Sequence, residues 1–194
     1  MKTVFSVLIL SLSLFALQGK EITLDLSKVK NVKYFFHANE KESSRPAGTV
    51  TKVTKNGIEL DFNFSTPKHD AIIAEFPVNI PAFSRVTAVI TVKQKGHRPF
   101  IVLTDKNGEN HYFSLRNTRN IAAQAFRNPG KRFRLTTPIR IKNDHPGEYF
   151  AFRWGGDNNQ RIDFPIKKIA LGLNDYPDTF QGKGSIIFHS LIFQ

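Results

Sequence analysis

The chain has 194 residues with 18 Phe, one Trp, no Cys and a net charge of +12. The lack of cysteine excludes disulfide staples and thiolate sites for zinc or iron–sulfur clusters. Apolar burial must therefore hold the fold, a task suited to the many phenylalanines. The positive surplus points to an acidic partner such as a sulfated or uronic-acid polysaccharide, an anionic cell envelope or nucleic acid, unless it is only solvated surface.

Met1 to Gly19 reads as a secretory signal peptide. Lys2 supplies the positive end, and Val4 to Leu17 is apolar apart from Ser6, Ser11 and Ser13. An uncleaved anchor is the alternative, but the run is short of the roughly 20 residues that cross a bilayer. Cleavage after Gly19 leaves residues 20–194 as a single domain, secreted, periplasmic or at the cell surface. No later segment is long and apolar enough to span a membrane.

Strand signals then run along the chain. Ile22, Leu24 and Leu26 alternate with polar residues. Val50 to Lys55 and Ile58 to Phe64 flank Asn56-Gly57, a strong hairpin signal. In the second arm Ile58, Leu60, Phe62 and Phe64 alternate with Glu59, Asp61 and Asn63, giving one buried face. Further strands are expected at Ala71 to Phe76, Arg85 to Lys93 and Phe100 to Leu103. Asp105-Lys106-Asn107-Gly108 turns into His111 to Arg116. Arg132 to Leu135, Ile139 to Lys142, Tyr149 to Trp154, Ile166 to Leu173 and Ile186 to Phe193 complete the set. One short helix is expected at Ile121 to Phe126. Short strands separated by Gly, Pro, Asn and Asp turns predict an all-β, antiparallel two-sheet sandwich.

The C-terminal third carries a resemblance. Phe152-Arg153-Trp154-Gly155-Gly156-Asp157 leads into Asp163-Phe164-Pro165-Ile166, then Ile169-Ala170-Leu171-Gly172-Leu173, and a closing strand begins at Gly184-Ser185-Ile186. This order, with the Thr104 to Gly108 hairpin, resembles the galactose-binding-like jelly rolls used by carbohydrate-binding modules. The resemblance implies a sugar-binding sandwich over about Ile22 to Phe193. Such domains often carry an acidic residue in the last strand near a structural calcium. His189-Ser190 stands there in this chain, so no metal and no cofactor is expected.

Two constellations bear on function. No Asp or Glu occurs between Asn110 and Asn143, a window holding Arg116, Arg119, Arg127, Lys131, Arg132, Arg134, Arg140 and Lys142. Guanidinium groups bind carboxylate and sulfate in bidentate fashion. Alternation places Tyr112, Ser114 and Arg116 on one face and Phe113 and Leu115 in the core. If these strands adjoin Arg132, Arg134, Arg140 and Lys142, a basic, tyrosine-bearing sheet face results; the alternative is a scattered solvated surface. The second constellation is Trp154 with Gly155, Gly156, Asp157, Asn158, Asn159 and Gln160, a stacking ring beside hydroxyl-binding groups. Alternation of Phe150, Phe152 and Trp154 instead predicts a core tryptophan.

Enzyme signatures are weak. The chain has no G-x-S-x-G, no H-E-x-x-H and no P-loop. A β-elimination lyase acting on uronates could use His111, Tyr112 and Arg116. The expectation is a non-catalytic module that binds an anionic or sulfated polysaccharide and no nucleic acid. Tyr112, Arg116, Arg134, Arg140, Arg153, Trp154, Asp157 and Asn158 are its ligand-contacting candidates. A polysaccharide lyase or hydrolase on the same sandwich, and an envelope structural or adhesion protein, are the alternatives.

Overall fold

A computed structural model describes residues 21–36, 41–42, 50–54, 57–64, 70–93, 98–115, 128–139, 150–159, 161–174 and 182–194. The signal segment, the Ile121 to Phe126 helix, Arg116 and Arg140 lie outside them. In chain order the strands are β1 (Ile22–Thr23), β2 (Asn31–Phe36), β3 (Lys41–Glu42), β4 (Val50–Thr54), β5 (Gly57–Phe64), β6 (Asp70–Ile80) and β7 (Arg85–Val92). They continue with β8 (Arg98–Thr104), β9 (Asn110–Ser114), β10 (Arg132–Pro138), β11 (Phe150–Trp154), β12 (Ile166–Asn174) and β13 (Gly182–Phe193). A 3₁₀ turn, Leu26–Lys28, is capped by the Asp25 carboxylate, which accepts from the Ser27 amide.

Among the described residues the strand pairings are antiparallel. One sheet runs β10-β7-β13-β5-β4, with β1 added to β13. The other runs β11-β9-β8-β12-β6-β2-β3. The fold is thus the two-sheet antiparallel sandwich expected from strand spacing. The core lies between the sheets. Ile58, Leu60, Phe62 and Phe64 of β5 and Val86, Ala88, Ile90 and Val92 of β7 face Ile72, Ala74 and Phe76 of β6 and Ile169, Leu171 and Leu173 of β12. Phe83 packs edge-on against both Phe164 and Phe193.

Three local details depart from a plain alternation. Thr54 pairs with Gly57, so Gly57 opens β5 rather than sitting at the centre of the turn. A side chain there would meet the Phe188 carbonyl at 2.8 Å. In β13 the pairing to β7 slips between Phe188 and Ser190. That bulge changes the phase of the strand, so Ile186 and Phe188 before it and Leu191 and Phe193 after it all face the core. Strand β2, which no alternation announced, pairs along β6 from Asn31↔Glu75 to Phe36↔Asp70.

The expected basic face is not assembled as one strip. Tyr112 lies on β9 and Arg134 on β10, which belong to different sheets. Tyr112 does leave the main core, as alternation requires, but it is buried on the outer face of its sheet. There it joins Ile73, Phe100, Val102 and Ala170, with its ring stacked on Phe100 at 4.7 Å. Exposure of the Tyr112 ring was therefore misjudged, because the outer face carries a second apolar cluster. Gly172 of β12 is the floor of that cluster, since a Cβ there would lie 2.3 Å from the Phe100 ring.

Candidate functional site

The site grows out of the β8–β9 hairpin. Along β8, Ile101 and Leu103 face the core, and the next residue of that row is Asp105. Along β9, Phe113 and Leu115 face the core, and the same row continues back through His111 and Glu109. The two core-facing rows therefore end in three polar residues, and all three are buried.

Asp105 organises the hairpin. Its Oδ1 accepts from the backbone amides of Asn107 at 2.9 Å and Glu109 at 3.0 Å. Its Oδ2 accepts from the Asp163 amide at 3.2 Å and lies 3.3 Å from Nε2 of His111. These bonds tie the turn to β9 and to the segment leading into β12. Burial holds the His111 imidazole below its ordinary pKa, against the pull of the Asp105 carboxylate. Asparagine and glycine complete the turn, with Gly108 at φ 85°.

Glu109 differs from Asp105. Its side chain is fully buried, 4.0 Å from His111, yet neither carboxylate oxygen accepts a hydrogen bond. Burial pushes its carboxyl above the ordinary value; Arg153 opposes this, and the Asp105, Asp157 and Asp163 carboxylates reinforce it. A buried carboxylate without donors costs on the order of several kcal/mol when ionised.

The second wall comes from β11 and the turn after it. β11 pairs Arg153 with His111 and Trp154 with Asn110. Because paired residues share a face, this register decides which way each points. Arg153 shares the inner row with His111 and is half-buried. Trp154 shares the outer row with Asn110 and is 44% exposed. The pairing to β9 also slips between Phe150 and Phe152, which breaks the phase that had placed Trp154 in the core. The core-tryptophan expectation is therefore corrected.

The turn itself spans Gly155 to Asn159, all exposed. Gly155, Gly156 and Asn158 adopt φ of 76°, 60° and 52°. Gly156 lies directly on Glu109, where an added Cβ would stand 2.3 Å from the Glu109 backbone nitrogen. Asn110 donates from Nδ2 to the Trp154 carbonyl at 3.4 Å and accepts from Thr104 at 2.7 Å. Asn107 and Asn159 both donate to Asp157 Oδ2, each at 2.9 Å, and both also donate to Asp163 Oδ2. The Asn159 bond comes first in holding the Asp163 carboxyl below its usual range.

Of the anticipated residues, Asp157 and Asn158 lie in this turn, directly after Trp154 at the end of β11, whereas Arg153 of the same strand faces the inner row with His111. The structure leaves Tyr112 buried, and puts Arg134, exposed, on the edge strand of the opposite sheet. Thr137 of β10 donates to the Ser114 carbonyl of β9 at 3.4 Å, so that edge and the β9 side of the other sheet abut. The Asp105–Glu109–His111 cluster was missed by sequence reasoning. The available signal was parity, because Glu109 and His111 fall in step with Phe113 and Leu115.

Among the described residues no helix is long and apolar enough to cross a membrane. No family model and no curated protein matches the chain. Among solved structures it is similar to the K1 cleaved adhesin domain of Lys-gingipain from Porphyromonas gingivalis W83. That likeness has 11% identity and a TM-score of 0.30, over 91% of this chain and 98% of the other. The fold assignment accordingly stands on the chain's own two antiparallel sheets.

Proposed function

We propose that the chain is an exported, non-catalytic polysaccharide-binding domain that takes its ligand at the Trp154 turn. The observation that carries this reading is the sole tryptophan, 44% exposed at the end of an edge strand. It stands beside the exposed polar side chains of Asp157, Asn158 and Asn159. An indole face stacks on the C–H face of a sugar ring, and the amides and carboxylate serve its hydroxyls. The positive surplus of the chain, with Lys131, Arg132 and Arg134 exposed at the β10 edge, favours an anionic polymer.

The burial pattern speaks for binding over elimination. An acid–base residue must reach the proton that it moves. His111 is fully buried and Tyr112 is 8% exposed, and as neighbours on a strand they face opposite sides of the sheet.

The test is calorimetry against paired neutral and sulfated polysaccharides at low and high salt, with Trp154→Ala and the Arg132→Ala/Arg134→Ala pair. Trp154→Ala should weaken binding about tenfold or more, the scale of one aromatic anchor. The double arginine variant should lose mainly the salt-sensitive preference for the sulfated polymer. A Trp154→Ala variant that binds like the parent would remove the turn as the ligand site.

A further inference from the structure

The Trp154 turn closes over a group that sugar binding does not use. Asp105, Glu109 and His111 each offer a ligand atom, and these atoms all lie within 4.8 Å of one another. Hydrogen bonding fully accounts for Asp105, whose two oxygens meet three backbone amides and His111. It does not account for Glu109, which has no exposed surface and two oxygens without a donor. Arg153 shares its row and its charge draws the Glu109 pKa down, but no hydrogen bond reaches either Glu109 oxygen. The nearby Asp157 and Asp163 carboxylates leave the surroundings rich in negative charge.

We propose that Asp105, Glu109 and Nε2 of His111 form a binding site for one divalent ion of the first transition series, with zinc as the reference ion. An imidazole nitrogen with two carboxylate oxygens is a donor set that zinc accepts at about 2.0–2.2 Å. Calcium instead favours six to eight oxygens, which makes it the poorer fit. Tetrahedral donors at those bond lengths stand roughly 3.4 Å apart. Nε2 of His111 is already 3.3 Å from Asp105 Oδ2 and 4.0 Å from Glu109 Oε2. All three ligand atoms lie within 4.8 Å of one another, so drawing Glu109 in to tetrahedral spacing takes a shift of no more than about 1.4 Å. Coordination through Nε2 leaves the ring proton on Nδ1, which is buried and has no hydrogen-bond partner among the described residues. The amides of Asn107, Glu109 and Asp163 hold the Asp105 carboxylate in place for the ion. The exposed Gly155 to Asn159 turn is the cover that lifts to admit it.

The experiment strips the chain with a chelator and titrates it by calorimetry with zinc, calcium and magnesium in turn, with no polysaccharide present. One zinc per chain should bind, at least tenfold tighter than calcium, and raise the thermal midpoint. Glu109→Gln and His111→Gln should each weaken zinc binding by about 10-fold or more, whereas Glu21→Gln, far along the chain, should not. Should either site variant fail to fold, imidazole ¹⁵N spectra of the parent decide. A zinc-induced shift of the His111 Nε2 resonance supports the site, and shifts confined to other histidines overturn it. No zinc uptake by the parent, calcium binding tighter than zinc, or a Glu109→Gln variant that binds like the parent also overturns it. Because no sugar enters the assay, its failure leaves the polysaccharide reading untouched.

Discussion

Gly156→Ala tests how firmly the exposed turn is seated on the buried acids. Gly156 sits at φ 60°, where an L side chain costs roughly 1–2 kcal/mol. Its new methyl would also meet the nitrogen, Cα and Cβ of Glu109 at 2.3, 2.6 and 2.7 Å. Overpacking of that kind costs about 1–3 kcal/mol where the surroundings cannot yield. A rigid turn would therefore lose about 2–5 kcal/mol, a fall in thermal midpoint of roughly 4–20 °C at this chain length. The turn is exposed from Gly155 to Asn159, however, so it should lift off Glu109 rather than unfold the sandwich. The overpacking is then relieved and the backbone cost of roughly 1–2 kcal/mol remains, an expected midpoint loss of about 2–8 °C. Trp154 is the sole tryptophan and reports the movement directly, as increased acrylamide quenching and a red-shifted emission. Gly130→Ala is the control, since Gly130 has φ 84° but nothing within 4 Å of an added Cβ. It should share the backbone cost without changing the tryptophan signal. Quenching and emission identical to the parent in Gly156→Ala would refute the contact between turn and cluster.

Phe188→Ala removes a ring with no exposure from the centre of β13 and should cost about 3–5 kcal/mol, read as a lower urea midpoint with an unchanged far-ultraviolet spectrum. A loss below about 1 kcal/mol would mean that the sheets do not meet there as described. His189 marks the β13 bulge, and its Nε2 is 2.9 Å from the Thr91 hydroxyl. Burial, then Arg132, lowers its pKa from the ordinary 6.5, so the unfolded chain binds the proton more readily. Stability should therefore fall as the pH drops below about 6.5, and His189→Gln should flatten that fall without abolishing it, because buried His111 contributes with the same sign. Urea midpoints between pH 7 and 5 check this, and equal slopes in parent and variant would count against it.

Much of the sandwich was legible because its core strands follow simple alternation. β5 and β7 show it in every second residue, and the turn chemistry of Asp105 to Gly108 marks its hairpin correctly. What escaped depended on partners distant in sequence. β2 opens with Asn31 and has Lys33 as its third residue, and its place is fixed by pairing to β6, about 40 residues on. The orientation of Trp154 depended on a register slip against β9, so a local alternation gave the wrong face. The β13 bulge did leave a trace, because its core residues Phe188 and Leu191 are three apart where an unbroken strand would have two.

The buried cluster follows the same logic. Once Phe113 and Leu115 are assigned to the core, parity sends Glu109 and His111 to the same side, and Ile101 and Leu103 send Asp105 to meet them. A sandwich closes the end of its core with whatever those rows supply. An apolar residue at 109 would close it more cheaply than a carboxylate that accepts no hydrogen bond. The turn above adds two glycines and an asparagine at positive φ, a backbone shape that brings it to van der Waals distance of Glu109. Stability alone accounts for neither choice, since Leu at 109 with a longer loop would satisfy the core. Both choices make sense if the acid is kept for a cation and the turn is kept close to present Trp154. Glu109→Leu separates these demands. It should raise the thermal midpoint of the chelator-treated chain, because a buried carboxyl that accepts no hydrogen bond is replaced by an apolar group, and it should abolish the rise that zinc produces. A Glu109→Leu variant less stable than the chelated parent would show that the carboxylate is held by interactions within the fold, and that the cluster is closed without an ion.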